Sequence, residues 1–168
     1  MKRKFLFVIL SAFLFGEIMF VKPLFCAEKY KIVDGDSLEK GKERIRLEGV
    51  DAPELFQKCY DETSKEYDCG FEATEALREF MKNVKYCQAS GKDVYERTLA
   101  ECFDENRESI NEKMVKSGYA LSYGDGFVKE EMYAKTNKKG IWRGKFMRPE
   151  LYRALNKSKK TRNKIKKR

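Results

Sequence analysis

Histidine is absent from this chain of 168 residues. Its absence excludes the commonest general base of enzymes and every nucleophile pair of the Ser–His or Cys–His type. The chain also lacks a Cys-x-x-Cys pair, which disfavours a structural zinc site. Any catalysis must therefore use carboxylates, Arg, Lys, Tyr or a metal ion.

Net positive charge is absent from the middle of the chain, although the formal net charge of the whole chain is +9. Residues 1–27 carry +3 and residues 157–168 carry +8, so residues 28–156 carry −2. The pI of about 9.2 is thus not that of a basic nucleic-acid-binding domain. The last segment is too polar to fold alone, which predicts a basic disordered tail. Such a tail is either only solvated or a site that holds polyanions.

The first 27 residues have the pattern of an export signal. A Lys-Arg-Lys cluster at 2–4 precedes the apolar run 5–16, which Glu17 interrupts. A membrane span needs roughly 18 or more apolar residues, so we expect a signal peptide rather than an N-terminal anchor. The protein is then exported, to the periplasm or the medium, and an uncleaved membrane anchor is the alternative.

Four cysteines follow this leader: Cys59, Cys69, Cys87 and Cys102. An even number of cysteines in an exported chain predicts disulfide bonds. Of the three pairings, Cys59–Cys69 with Cys87–Cys102 is favoured because each bond closes a short loop of polar, turn-forming residues. Closing a loop of about 15 residues stabilises a fold by roughly 3 kcal/mol.

Strand patterns are concentrated in the first half of the chain and helix patterns in the second. The segments with strand patterns are 29–34, 44–47, 84–89 and 97–103. The predicted helices are 71–84, a helix that Ser109 caps, and 127–138. This order predicts an α+β domain at residues 28–156, built on a small Greek-key (OB-like) β-barrel with about three helices.

Three carboxylates and an arginine lie near strand ends between positions 34 and 54. Asp36 adjoins a turn, and Asp51 and Glu54 flank a proline at which the chain leaves the sheet. If the two strands pair through the intervening turn, Asp36 and Asp51 approach at one end of the sheet. Such oxygens suit Ca²⁺, Arg46 can hold a phosphate, and Glu54 can activate water. Taken singly, each residue has an ordinary structural explanation as a turn former or ion pair.

Three sequence blocks, taken together, resemble the signature motifs of the staphylococcal nuclease (thermonuclease) family. They are Val33–Ser37 (VDGDS), Ile45–Glu54 (IRLEGVDAPE) and Asp93–Ala100 (DVYERTLA). The similarity continues to Gly140-Ile141-Trp142 and covers about residues 29–150. The four cysteines also resemble the pattern of exported bacterial members.

The resemblance implies metal and phosphate ligands by position. Asp36 and Asp51 match the family's two calcium carboxylates. Ala52 matches the ligand that uses its backbone carbonyl, in place of a common threonine. Arg46 and Arg97 match the two arginines that bind the scissile phosphate and its transition state.

The resemblance also implies a reaction and its partners. Glu54 matches the general base, and Tyr95 matches an aromatic residue near the bound nucleotide. The implied activity is calcium-dependent hydrolysis of DNA, RNA or both by in-line attack of water, leaving a 3′-phosphate and a 5′-hydroxyl. We expect nucleic acid as substrate, no stable protein partner and a monomer. Besides Ala52, the departures are Glu96, in place of a frequent glycine, and 122–125, which does not align with the family's paired tyrosines.

A non-catalytic OB-type module that binds nucleic acid or a protein is the alternative function. The complete set argues against it, because a decayed module has little reason to keep Asp36, Arg46, Asp51, Glu54 and Arg97. A structural envelope protein anchored by its apolar N-terminus is a third possibility, and it leaves this charge cluster unexplained.

Overall fold

The computed structural model describes residues 30–166, with side chains as far as residue 159. The strands of this part are β1 (Lys31–Ile32), β2 (Ser37–Lys40), β3 (Glu43–Leu47), β4 (Val50–Asp51), β5 (Cys59–Tyr60), β6 (Glu66–Tyr67), β7 (Val84–Lys92), β8 (Thr98–Asp104) and β9 (Leu121–Ser122). Its helices are α1 (Cys69–Met81), α2 (Ile110–Lys116), α3 (Val128–Thr136) and α4 (Pro149–Lys166), with a 3₁₀ helix at Gly140–Arg143.

The largest sheet has the strand order β1-β2-β3-β8-β7. The turn between β2 and β3 contains Gly41 at a φ of 62°, a left-handed conformation that favours glycine. Below this turn Ser37 pairs with Arg46, and β3 continues parallel to β8 with Arg46 beside Leu99. Asp36, one residue before β2, therefore lies next to Arg46, as the hairpin predicts. The mixed sheet and the separate helices confirm the α+β class. Within residues 30–166 the strand pairs do not close a ring, and the OB-like barrel therefore stays a prediction.

Helix α1 packs on the hydrophobic core that this sheet also forms. Its buried residues Ala73, Leu77 and Met81 recur at intervals of four and join a core with Leu38 and Leu47 of the sheet. The apolar periodicity at 71–84 thus predicts the helix correctly. The observed helix ends earlier, at Met81, because Val84 begins β7.

Helix α2 is fixed by its cap and by one buried amide. The Ser109 hydroxyl accepts a hydrogen bond from the Glu112 N–H at 3.1 Å, which confirms the predicted N-cap. The Asn111 amide accepts from the Cys102 N–H and donates to the carbonyls of Glu48 and Ala100. This single side chain ties α2 to β8 and to the end of β3.

Helix α4 makes a fourth helix where about three are predicted from the sequence. Its backbone continues to Lys166, into the segment 157–168 for which composition predicts a disordered tail. Its first turn begins with proline, a favoured residue there, and docks on the chain: the Tyr152 hydroxyl donates to the Phe56 carbonyl at 3.3 Å. The helix is thus extended from a docked turn, which composition alone does not reveal.

Both predicted disulfides, Cys59–Cys69 and Cys87–Cys102, are present. The first joins the β5–β6 hairpin to the start of α1, and the second links residues directly opposite each other in β7 and β8. None of the helices in residues 30–166 has the length and apolar character needed to cross a bilayer. The predicted signal peptide, residues 1–27, lies outside the described part.

Candidate active site

A cleft of about 1010 Å³ opens between the β1–β2 loop, the end of β3, the β7–β8 turn and α4. The predicted catalytic residues Arg46, Glu54 and Arg97 all line it, together with Asp36 and Tyr95. The structure thus brings residues from positions 36 to 97 of the chain into one space.

Asp36 is held on both of its carboxylate oxygens. Oδ1 accepts hydrogen bonds from Arg46 Nη1 at 2.7 Å and from the Ser37 hydroxyl at 2.9 Å. Oδ2 accepts the Ala52 N–H at 3.0 Å. The residue is only 4% exposed. Its orientation is therefore set before any ligand arrives, and Ala52 lies against it in the buried wall behind the cleft.

Arg46 connects the two predicted metal carboxylates. Its Nη2 lies 3.0 Å from the Val50 carbonyl oxygen and 3.4 Å from Asp51 Oδ1. Burial alone would lower the pKa of Arg46, but the charges of Asp36 and Asp51 outweigh it and raise the pKa. One guanidinium thus fixes Asp36 and Asp51 side by side.

Asp51 lies behind the cleft wall and is 6% exposed. Burial raises the pKa of this carboxyl above its ordinary value, although Arg153 and Arg46 act in the opposite direction. A buried carboxylate of this kind gains from a further cation.

Arg153 of α4 contacts both Asp51 and Glu54 and is not among the site residues predicted from the sequence. Its Nη2 lies 2.9 Å from Asp51 Oδ1, and its Nη1 lies 3.0 Å from Glu54 Oε1. These contacts join residues 102 and 99 positions apart in the chain. No local spacing marks Arg153 among the many Lys and Arg residues of the C-terminal segment, so only the docking of α4 reveals it.

Arg97 enters the cleft from the β7–β8 turn and is clamped by Asp93. Asp93 Oδ2 accepts a hydrogen bond from Arg97 Nε at 2.7 Å and forms an ion pair with Nη2 at 2.7 Å, and Oδ1 accepts the Arg97 N–H at 2.9 Å. Burial would raise the pKa of Asp93, but these hydrogen bonds from Arg97 outweigh it and lower the pKa. The turn also places Glu96 at a φ of 61°, a conformation that glycine adopts at lower cost.

Two exposed aromatic rings stand at the rim of the cleft. Tyr95 is 67% exposed, and its ring centroid lies 5.7 Å from the Arg97 guanidinium carbon. Tyr123, which belongs to the segment that does not align with the family's tyrosines, is 62% exposed and lines the same cleft. Exposed rings of this kind suit the stacking of nucleic-acid bases.

Asp34 adds a further carboxylate to the cleft, beside Asp36. Its Oδ1 accepts the N–H of Asp36 at 3.1 Å, which closes the turn before β2. Burial, followed by the charge of Asp36, raises the pKa of Asp34 to about 6. Asp34 thus adds negative potential behind the Asp36 carboxylate.

The donor set allows a hard cation, although it is sparse in side chains. Within residues 30–166 no three His, Cys, Asp or Glu side chains are grouped as metal ligands. Asp36 and Asp51 nevertheless present neighbouring carboxylates, and Asp51 and Glu54 already bind a cation, the Arg153 guanidinium. Two carboxylates with carbonyl and water oxygens fit Ca²⁺, which accepts irregular oxygen shells.

Comparison with known proteins places this cleft in a family. The sequence profile described as "Staphylococcal nuclease homologue" matches residues 44–144. The chain is 35% identical over 118 residues to the succinoglycan biosynthesis protein ExoI of Rhizobium meliloti (strain 1021), covering 67% of this chain and 62% of that protein. It is 30% identical over 132 residues to the endonuclease YhcR of Bacillus subtilis (strain 168), covering 67% of this chain and 11% of that protein.

The chain thus spans less than two thirds of the length of these two curated relatives. The profile match covers more than half of the chain and includes the strand that carries Arg46 and the turn that carries Arg97. On this match, the chain belongs to the staphylococcal nuclease homologue family.

Proposed function

We propose that this protein is an exported, calcium-dependent phosphodiesterase that hydrolyses DNA, RNA or both, and that it acts as a monomer without a stable protein partner. The observation that carries the proposal is the convergence of Arg46, Arg97 and Glu54 on one cleft beside Asp36. The family supports a nuclease, and one relative is named an endonuclease. The two disulfides support export, because such bonds persist in oxidising compartments.

The proposed mechanism assigns a separate task to each group. Calcium, held by Asp36, Asp51 and the carbonyl of Ala52, would supply a Lewis acid that neutralises phosphate oxygens. Arg46 and Arg97 donate hydrogen bonds to the phosphate oxygens, whose negative charge grows in the pentacovalent transition state.

Glu54 accepts a proton from the water that attacks phosphorus in line with the leaving 5′-oxygen. Tyr95 and Tyr123 stack on the bases at the rim and orient the strand. Stacking is tolerant of sequence, and the cleft would accordingly accept many different nucleic-acid sequences.

Metal dependence is the first expected outcome. The mature protein should cleave DNA or RNA in Ca²⁺, lose this activity in a chelator, and regain little of it in Mg²⁺, which demands a tighter octahedral shell. The measurement is cleavage of labelled DNA and RNA, with the termini of the products identified by mass. Full activity in chelator contradicts the metal assignment. Calcium-dependent binding without cleavage of either nucleic acid would favour the non-catalytic module.

The C-terminal segment gives a second expected outcome. Removing 157–168 deletes eight Lys or Arg but keeps Arg153 and the docked turn of α4. Affinity for long polyanions should fall, and the slope of log K against log salt on duplex DNA should become shallower by about 0.9 for each phosphate that is no longer neutralised. Cleavage of a dinucleotide should not change, because so short a substrate reaches only the cleft.

A full-length variant with these eight residues changed to Gln is the matched control, since it keeps the chain length and removes only the charge. Equal decreases in affinity for the two proteins assign the effect to charge. If removing residues 157–168 does not change the slope of log K against log salt, the segment is only a solvated helix and does not bind polyanions.

A further inference from the structure

Arg153 reaches the cleft from α4, outside the residues 44–144 matched by the family profile. Its guanidinium binds two partners at once, Asp51 at 2.9 Å and Glu54 at 3.0 Å. The Arg153 side chain is 38% exposed, whereas the Asp51 side chain that it contacts is nearly buried. A single solvent-accessible guanidinium thus binds both Asp51, a proposed calcium ligand, and Glu54, the proposed general base.

The charges in this network indicate what a second cation would do. Asp36, Asp51 and Glu54 form ion pairs with Arg46 and Arg153. A divalent ion bound by Asp51 would lie beside the Arg153 guanidinium, which is 2.9 Å from the same carboxylate. Two cations on the same carboxylate repel each other strongly in a partly buried site.

The other contacts of α4 allow Arg153 to leave while the helix stays docked. The Tyr152 hydroxyl donates to the Phe56 carbonyl, and the Gln57 side chain donates to the Met147 carbonyl at 2.7 Å. Pro149 is fully buried at the helix start. Arg46, by contrast, is 14% exposed and also bound to the Val50 carbonyl, so Arg153 is the cation with a path to solvent.

We propose that Arg153 is a positioning residue that competes with calcium: it holds Asp51 and Glu54 in the metal-free protein and is displaced when calcium binds. The inference rests on the proposed calcium dependence. The same displacement removes the ion pair from Glu54, whose carboxylate accepts the proton of the attacking water.

The test is calcium binding by titration calorimetry to the full mature protein, without substrate, after removal of metal. Arg153→Gln should bind Ca²⁺ at least about fivefold more tightly than wild type, the lower end of ordinary coupling between two ligands. Arg153→Lys keeps the charge without the two-pronged donor, and its affinity should fall between the two. Arg148→Gln removes one positive charge from an exposed arginine beside the start of α4 and should leave the affinity unchanged.

A second measurement follows Arg153 in the wild-type protein. The guanidinium NMR signals of isotope-labelled arginine, assigned with the Arg153→Gln spectrum, should show loss of the restrained Arg153 signal as calcium is added, while the Arg46 signal persists. A merely structural arginine would keep its signal.

The outcomes separate this inference from the proposed function. Tighter calcium binding by Arg153→Gln with release of the Arg153 signal supports the competition. Equal or weaker binding by Arg153→Gln, with wild type binding calcium, overturns it and leaves calcium dependence intact; a raised KM for nucleic acid in that variant would make Arg153 a phosphate ligand instead. If wild type binds no calcium, both the competition and the calcium assignment are wrong.

Discussion

Arg97→Lys is expected to lower the turnover of a nucleic-acid substrate by about 10²–10³-fold, the effect of losing one preorganised donor at a developing negative charge. The substitution keeps the positive charge but removes the planar, two-pronged guanidinium. Asp93 binds that guanidinium through Nε and Nη2, which orients it toward the cleft. A lysine has one ammonium group and cannot both keep the Asp93 clamp and reach the phosphate.

The measurement is kcat at saturating substrate and saturating calcium, with folding checked by circular dichroism. Arg78→Lys is the matched control, because it makes the same change at an exposed arginine of α1, outside the cleft, and it should leave kcat unchanged. If folded Arg97→Lys protein turns over as fast as wild type, Arg97 is not part of the active site. The non-catalytic binding module would then be the better explanation of the cleft.

The part of the site that the sequence predicts is the part made by local structure. The observed hairpin register pairs Leu38 with Ile45 in the core and puts Ser37 opposite Arg46, and a slip by one residue would turn one of the two apolar side chains to the other face. Asp36, one residue before this hairpin, is thereby placed beside Arg46. Asp51 comes near them through the short link after β3, and the pairing of β4 with the distant β9, with Asp51 opposite Leu121, holds it there. The spacing of residues 36–51 therefore predicts the approach of the two carboxylates, and a long-range strand pair completes it.

The parts that the sequence does not predict depend on contacts between distant segments. Arg153 meets Glu54 only because α4 docks on the chain around Phe56, and such docking leaves no pattern in a Lys-rich stretch. Composition even predicts disorder for residues 157–168, since few apolar side chains there could stabilise a helix alone. The helix is begun by its docked first turn, and extending a helix is far easier than starting one.

The two sides of the site differ in how firmly they are held. Asp36 is fixed by a backbone N–H, a hydroxyl and Arg46, so it keeps its orientation with or without a ligand. Asp51 and Glu54 instead share Arg153, an arginine with access to solvent. Asp36 is thus preorganised, whereas the partner of Asp51 and Glu54 can be exchanged. A site that combines the two can admit a metal ion and still bind it in a defined geometry.

Glu54→Gln is expected to lower turnover by about 10²–10⁴-fold, the usual contribution of a positioned general base. Glutamine has nearly the same shape and keeps an oxygen that can accept from Arg153, so packing around the position should survive. It cannot take a proton from water. The calcium concentration for half-maximal activity should not rise, because Glu54 is not one of the proposed metal ligands.

A calcium titration of turnover separates this role from that of a ligand. Asp51→Asn, which removes a proposed metal carboxylate, should raise the half-maximal calcium concentration and regain part of its activity at high calcium, whereas Glu54→Gln should stay slow at every concentration. Glu62→Gln repeats the substitution at an exposed carboxylate outside the cleft and should behave as wild type. If high calcium rescues Glu54→Gln, then Glu54 acts as a metal ligand, and the attacking water must lose its proton to another group.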